Sequence, residues 1–195
     1  MLIAFLGRKR SGKDTVADFL IKNKGFQKYV FADPLKKGLK AFFNLTDEQL
    51  YDEKLKEEID PRWGVSPRKL LQIIGTDIFQ HSLNQFIPDM KGEPRNHWVN
   101  LFKEWYLKEI EKNPNVKIVI ADARFIHEVK AIKELGGVVI RINRTIGHNI
   151  NNDIHISEME IDSIPYNMID HTIINDDTLE TLYQKIEQIK FLNYL

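Results

Sequence analysis

The chain has 195 residues, 43% of them hydrophobic, with 28 basic against 28 acidic side chains and no cysteine. Balanced charge argues against a non-specific nucleic-acid binder, and the lack of thiols excludes disulfides and cysteine-held metal, in keeping with a reducing cytoplasm. The apolar start "MLIAFLGRKR" puts its basic residues after the apolar run, the reverse of a secretory signal, and no segment reaches the roughly 18 apolar residues of a membrane span.

The expected class is a soluble cytoplasmic α/β protein with neither membrane nor nucleic acid as a partner. "LIAFL", Leu2–Leu6, reads as a strand covered on both faces. Gly7, Gly12 and Lys13 follow it with the spacing G-x-x-x-x-G-K, and Val16, Phe19 and Leu20 mark one face of a helix beginning at Lys13. Spacing alone is a modest signal. A strand stopping before Gly7 and a helix starting at Lys13 supply the context of a phosphate-binding loop. Gly7, Arg10, Ser11, Gly12 and Lys13 are therefore expected ATP-binding positions, with the Lys13 ammonium on the β- and γ-phosphates.

Asp14 stands where this pattern usually has Ser or Thr. A carboxylate is a hard oxygen ligand that suits Mg²⁺, and an acid in a first helical turn also suits the helix dipole, so both readings stand. Thr15 offers its hydroxyl to the α-phosphate.

"YVF", Tyr29–Phe31, is the second expected strand, and Asp33 and Lys36 lie just past its end, where ligands enter doubly wound sheets. A long helical insertion follows, residues 32–112. Within it Ser66 is placed to cap a helix with Pro67 at its first position. Arg68 and Gln72 are four apart and share a helical face. A guanidinium matches a phosphate and an amide matches a base edge, which suits a nucleoside monophosphate acceptor. Asp33, Lys36, Arg68 and Gln72 are equally readable as solvated surface groups. Phe102, Trp105, Tyr106 and Ile110 form the apolar stripe of a further helix.

"VKIVIA", Val116–Ala121, is the third strand and ends in Asp122, the position of a Walker B carboxylate. Asp14 and Asp122 are the expected Mg²⁺ ligands. Arg124 either faces transferred phosphate or starts a surface helix. "VVIRI", Val138–Ile142, is the fourth strand. Arg141 and Arg144 stand at the root of a polar stretch, Asn143–Glu158, read as a loop and as the main part of a lid over residues 143–160. His155, Ser157 and Glu158 of "HISE" are candidate members of that lid. "HTII", His171–Ile174, is the fifth strand, and Asn175 either contacts the donor adenine or belongs to a plain cap made by Asp177 or Thr178. Leu179, Leu182, Tyr183, Ile186 and Ile189 mark the last helix.

No Ser-His-Asp order, H-E-x-x-H or nucleophile–base pair is present in the sequence. An acceptor that is itself a phosphate needs no strong base, because its attacking oxygen is already charged. Lys13, Arg124, Arg141 and Arg144 are then the expected catalytic cations.

Taken in order and spacing, "GRKRSGKDT", "FADPLK", "WGVSPRKLLQIIGTD", "DARFIHEVKAI", "GGVVIRINR", "HISE" and "DHTIINDDTLETL" resemble the deoxynucleoside monophosphate kinases of bacteriophages and large DNA viruses, within the P-loop nucleoside-monophosphate-kinase superfamily. The resemblance implies a single P-loop NTPase domain, a three-layer α/β/α fold with a five-stranded parallel sheet. It implies ATP as donor, Mg²⁺ as cofactor, a deoxynucleoside monophosphate as acceptor, and a homodimer through the inserted helices. It carries Gly12, Lys13, Asp14 and Thr15 to the donor phosphates and metal, Arg68 and Gln72 to the acceptor, and Asp122, Arg124, Arg141 and Arg144 to the reaction centre or lid. "DMKGEPRNHW", Asp89–Trp98, matches poorly, which leaves base preference open. Phosphomevalonate kinases share the G-K-D loop, so an isoprenoid phosphate acceptor is the alternative enzyme reading. A regulatory module that binds ATP without transferring phosphate is the non-enzyme one.

Overall fold

Five apolar runs pair into one parallel sheet. The strands are β1 (Leu2–Leu6), β2 (Gln27–Tyr29), β3 (Ile118–Ile120), β4 (Val138–Arg144) and β5 (His171–Asn175), in the order β2-β3-β1-β4-β5. Leu2 lies opposite Ile118, Phe5 opposite Ile140, Tyr29 opposite Ile120 and Ile173 opposite Ile142. The structure, a computed structural model, describes residues 1–90, 92–144 and 156–189.

The helices between the strands are α1 (Lys13–Lys24), α2 (Asp33–Phe43), α3 (Asp47–Tyr51), α4 (Pro67–Gln72), α5 (Leu83–Phe86), α6 (His97–Lys112), α7 (Ile126–Glu134), α8 (Ile156–Ser163) and α9 (Leu179–Glu187). Alternation along each strand sends neighbouring side chains to opposite faces. Ile3, Phe5, Val119, Ile140, Ile142 and Ile173 are buried in one core with Val16, Ala17 and Leu20 of α1 and Leu182 and Ile186 of α9. Leu2, Ala4, Leu6, Ile118, Ile120 and Val139 are also buried, on the other face, where α7 packs on β1 and β4. Each fully buried branched side chain contributes roughly 1.5–3 kcal/mol. The result is the expected three-layer α/β/α arrangement. No helix among the described residues is long and apolar enough to cross a membrane.

The chain divides into two compact units, one of Met1–Val30 with Lys103 onward and one of Phe31–Phe102. In the second unit Ser66 caps α4 by accepting from the Lys69 N–H, with Pro67 at the first helical position. Thr46 and Gln49 form a reciprocal capping box on α3. After α4 the helix widens into a π-helical run, Ile73–Ser82. The indole N–H of Trp98 donates to the Gly75 carbonyl at 2.9 Å, and a Cβ at Gly75 would stand 2.5 Å from Leu35. A carbonyl drawn aside by an indole and a backbone pressed onto α2 accompany the departure from α-helical pairing.

Two sequence readings are corrected. The second strand is Gln27–Tyr29, not Tyr29–Phe31. As an edge strand it is held by backbone pairing to β3, and its exposed Gln27 and Lys28 give no apolar signal. Asn143 and Arg144 are the last residues of β4 rather than the start of a loop, because pairing with β5 continues through Arg144 opposite Asn175. Ser157 and Glu158 fall within α8, but their side chains lie outside the described part of the structure, as does all of His155.

Candidate active site

The loop after β1 is shaped by its glycines. Gly7 has φ 148°, and a Cβ there would stand 2.3 Å from the Ile142 carbonyl oxygen of β4. Gly12 caps α1 at φ 105°, and Arg10 lies in the left-handed region at φ 65°. Three loop carbonyls are held by side chains. Lys13 Nζ donates to Arg8 O at 2.8 Å, Arg144 to Arg10 O at 3.3 Å, and Asn175 Nδ2 to Ser11 O at 2.9 Å. A peptide whose carbonyl is engaged on one side presents its N–H to the other, the basis of an anion-binding nest. α1 has no side-chain N-cap, so its positive end is not shielded by a capping group.

Beside this loop lies a cavity of about 170 Å³, lined by Gly7, Arg8, Ser11, Arg144, Asp162 and the end of β4 from Arg141. Two buried polar atoms, Ser11 Oγ and Arg141 Nε, have no hydrogen-bond partner among the described residues. Buried groups left unsatisfied by the protein are expected where a polar ligand binds. Arg141 is 8% exposed and donates to Asp162 Oδ1 at 2.8 Å and to the Ile161 carbonyl at 3.3 Å. Asp162 Oδ2 accepts from Arg8. One carboxylate of α8 thus holds an arginine of the loop and an arginine of β4, a contact the sequence does not announce because its partners are distant along the chain.

Asp14 is largely exposed and 3.5 Å from Lys28 Nζ, which also faces Asp18. Thr15 is half-buried in the first turn of α1, and Asp122 sits just past β3, followed by Arg124, both partly buried. Among the described residues no group of three His, Cys, Asp or Glu forms a ready metal cage. Mg²⁺ does not require one: it takes one or two carboxylates and completes its shell with water and phosphate oxygens. Asp14 and Asp122 fit that donor set in chemistry and number.

Glu128, missed in the sequence, is the other acid of this region. It is 3% exposed, and its Oε2 accepts the N–H groups of Arg124 at 2.7 Å and Phe125 at 3.1 Å. Burial, opposed by those two hydrogen bonds and the Arg124 charge and assisted by the nearby Asp122 charge, pushes its carboxyl up to about 8. Between the ordinary glutamate range and that value the unfolded chain gives up a proton that the folded chain keeps. Stability therefore falls as pH rises through this window, by on the order of 3 kcal/mol at pH 7. Glu128→Gln keeps an accepting oxygen and removes the titration. Its melting-temperature advantage over wild type is expected to widen from pH 5 to pH 8 in a thermal melt series. A constant difference across that range would contradict a neutral Glu128.

Within the second unit, Asp33 accepts from the Tyr51 hydroxyl at 3.3 Å, and Lys36 Nζ lies 3.9 Å from the centre of the same ring. Tyr51, not anticipated, thus joins the two residues named after the second strand. Arg68 is instead paired with Glu57 at 2.9 Å and Glu53 at 3.4 Å, and Gln72 is half-buried at the end of α4.

The family model described as deoxynucleotide monophosphate kinase matches residues 1–60 and 53–186. A provisionally named deoxynucleotide monophosphate kinase of Acanthamoeba polyphaga mimivirus is 42% identical over 188 residues, covering 95% of this chain and 94% of its own. The deoxynucleotide monophosphate kinase of Enterobacteria phage T4 is 28% identical, covering 95% of this chain and 97% of its own. Among solved structures, the dephospho-CoA kinase of Campylobacter jejuni superposes with a TM-score of 0.51 at 16% identity, over 100% of this chain and 98% of that one. At that identity the last similarity concerns the fold.

Proposed function

We infer the working of the site from one premise: this chain belongs to the deoxynucleotide monophosphate kinase family. It is a phosphotransferase that moves the γ-phosphoryl group of ATP to a deoxynucleoside monophosphate. The carbonyl-pinned loop with Lys13 is the observation that supports placing the donor phosphates there. Gly7, Arg10, Ser11, Gly12, Lys13 and Thr15 take the triphosphate, with Asn175 holding the loop closed from β5. In the transfer, the bond from the donor's bridging oxygen to the γ-phosphorus breaks and a bond from the acceptor's phosphate oxygen forms. No proton has to be removed first, because that oxygen is already ionised. Lys13, Arg124, Arg141 and Arg144 neutralise the charge spread over the equatorial oxygens. Arg141 exchanges part of its contact with Asp162 for phosphate, which satisfies its idle Nε. Asp14 and Asp122 would hold Mg²⁺, which would offset phosphate charge as a Lewis acid.

Asp33, Lys36, Arg68 and Gln72 of the second unit serve the acceptor. The ion pairs of Arg68 with Glu57 and Glu53 support a guanidinium held in a fixed orientation rather than a wandering surface group. Phe42, Ile59 and Trp63, large and exposed on the same unit, support assembly as a homodimer.

A coupled assay across the deoxynucleoside monophosphates and mevalonate phosphate tests the reading, which predicts turnover with the former. Turnover confined to the latter, or ADP release that needs no acceptor, would refute it. Arg68→Ala is expected to raise the acceptor KM on the order of tenfold while leaving the ATP KM within about twofold. Equal rises in both would remove Arg68 from the acceptor residues.

A further inference from the structure

We propose that Glu128 is a positioning residue of the phosphoryl-transfer centre, its carboxyl clamping the backbone of Arg124 and Phe125 and so fixing where the Arg124 guanidinium stands. The proposal rests on the assignment of Arg124 to the transferred phosphate. Glu128 occupies the third position of α7 and reaches back to the turn that joins β3 to the helix. Phe125, the N-cap, is extended at φ −107° and ψ 148° and carries no side-chain acceptor. Glu128 makes the reciprocal half of a capping box, an N3 acid reaching back to the N–H of the cap residue, and extends it to the Arg124 amide one residue earlier. One oxygen takes two consecutive amides, which ties together the peptide planes on either side of Arg124 and sets the direction of its Cα–Cβ bond.

Burial argues that this is more than an ordinary helix end. A carboxyl inside the protein is costly unless hydrogen-bonded, and the same turn could be capped from solvent at no such cost. What burial supplies is rigidity: a clamp packed on all sides cannot swing away. Its part in the clamp is to accept the two backbone N–H groups. The amide of glutamine reproduces that function; a shorter or absent side chain does not.

Steady-state kinetics of Glu128→Gln, Glu128→Ala and Glu128→Asp, with hydrogen exchange at the Arg124 and Phe125 amides, test the proposal. Glu128→Gln is expected to keep kcat within about threefold of wild type and to retain amide protection. Glu128→Ala is expected to lose protection at both amides and to lower kcat by about 30-fold or more, with each KM within about threefold. Should the alanine variant not fold, Glu128→Asp, whose carboxyl is withdrawn by one methylene, is expected to show the same loss. The proposal is overturned if the folded alanine or aspartate variant keeps wild-type kcat, if lost protection leaves kcat unchanged, or if glutamine is as damaging as alanine. Wild-type turnover in the same plates reports separately on the kinase reading.

Discussion

Lys13→Ala is expected to lower kcat by about 10³-fold, roughly 4 kcal/mol of transition-state stabilisation, while the protein stays folded. The ammonium is buried to 7% exposure and donates to a loop carbonyl, Arg8 O. A cation kept at the mouth of a nest adds its field to that of the loop amides for an incoming anion. Removing it leaves Arg144 and Asn175 still tethering the loop, so the melting temperature should move only a few degrees. Kinetics beside a thermal melt check both halves. Retention of more than a tenth of wild-type kcat in a folded variant would strip Lys13 of its role. Lys13→Arg should not rescue, because a planar fork cannot replace a point charge on a short reach.

Gly7→Ala is the second large effect, and it acts on stability as well as on binding. The added methyl would stand 2.3 Å from the Ile142 carbonyl oxygen and 2.6 Å from Ser11 Oγ, at φ 148°. Ser11 can turn away, but the Ile142 carbonyl belongs to β4 in the middle of the sheet and cannot. The loop must lift, at a cost of about 3 kcal/mol or more, which for a chain of this size lowers the melting temperature by about 10 °C. Lifting also breaks the alignment of the nest, so ATP affinity measured by calorimetry is expected to fall at least about 100-fold. Gly25→Ala is the control. It too has positive φ, at 69°, but nothing stands within 4 Å of its added methyl. It should cost only about 1 kcal/mol and leave ATP affinity unchanged. Comparable losses in the two variants would show that backbone strain, not the crossing of β4, accounts for Gly7.

Much of the sheet was readable because its strands announce themselves. β1, β3 and β4 are runs of apolar residues too short for a helix and too continuous for a half-exposed strand. The cap at Ser66 was readable, and that at Thr178 was one of two candidates beside Asp177, because local side-chain acceptors leave a local signature. β2 was displaced by two residues because an edge strand needs no apolar residue on its open side. The loop glycines were legible as spacing, but the reason for Gly7, a carbonyl of β4, is a contact across the sheet. Asp162 was missed because its two arginines lie 154 and 21 residues away. Glu128 looked like any acid in a first helical turn. The one available hint was its place three residues past Phe125, from which an acid reaches back to the N–H of the cap residue.

The chain crosses from the sheet unit into Phe31–Phe102 once and returns once. The second unit is thus one contiguous insert in the chain, separate in sequence from the strands and their phosphate loop. If Asp33, Lys36, Arg68 and Gln72 serve the acceptor as proposed, a change of acceptor preference can arise inside a single contiguous stretch without altering the residues assigned to ATP.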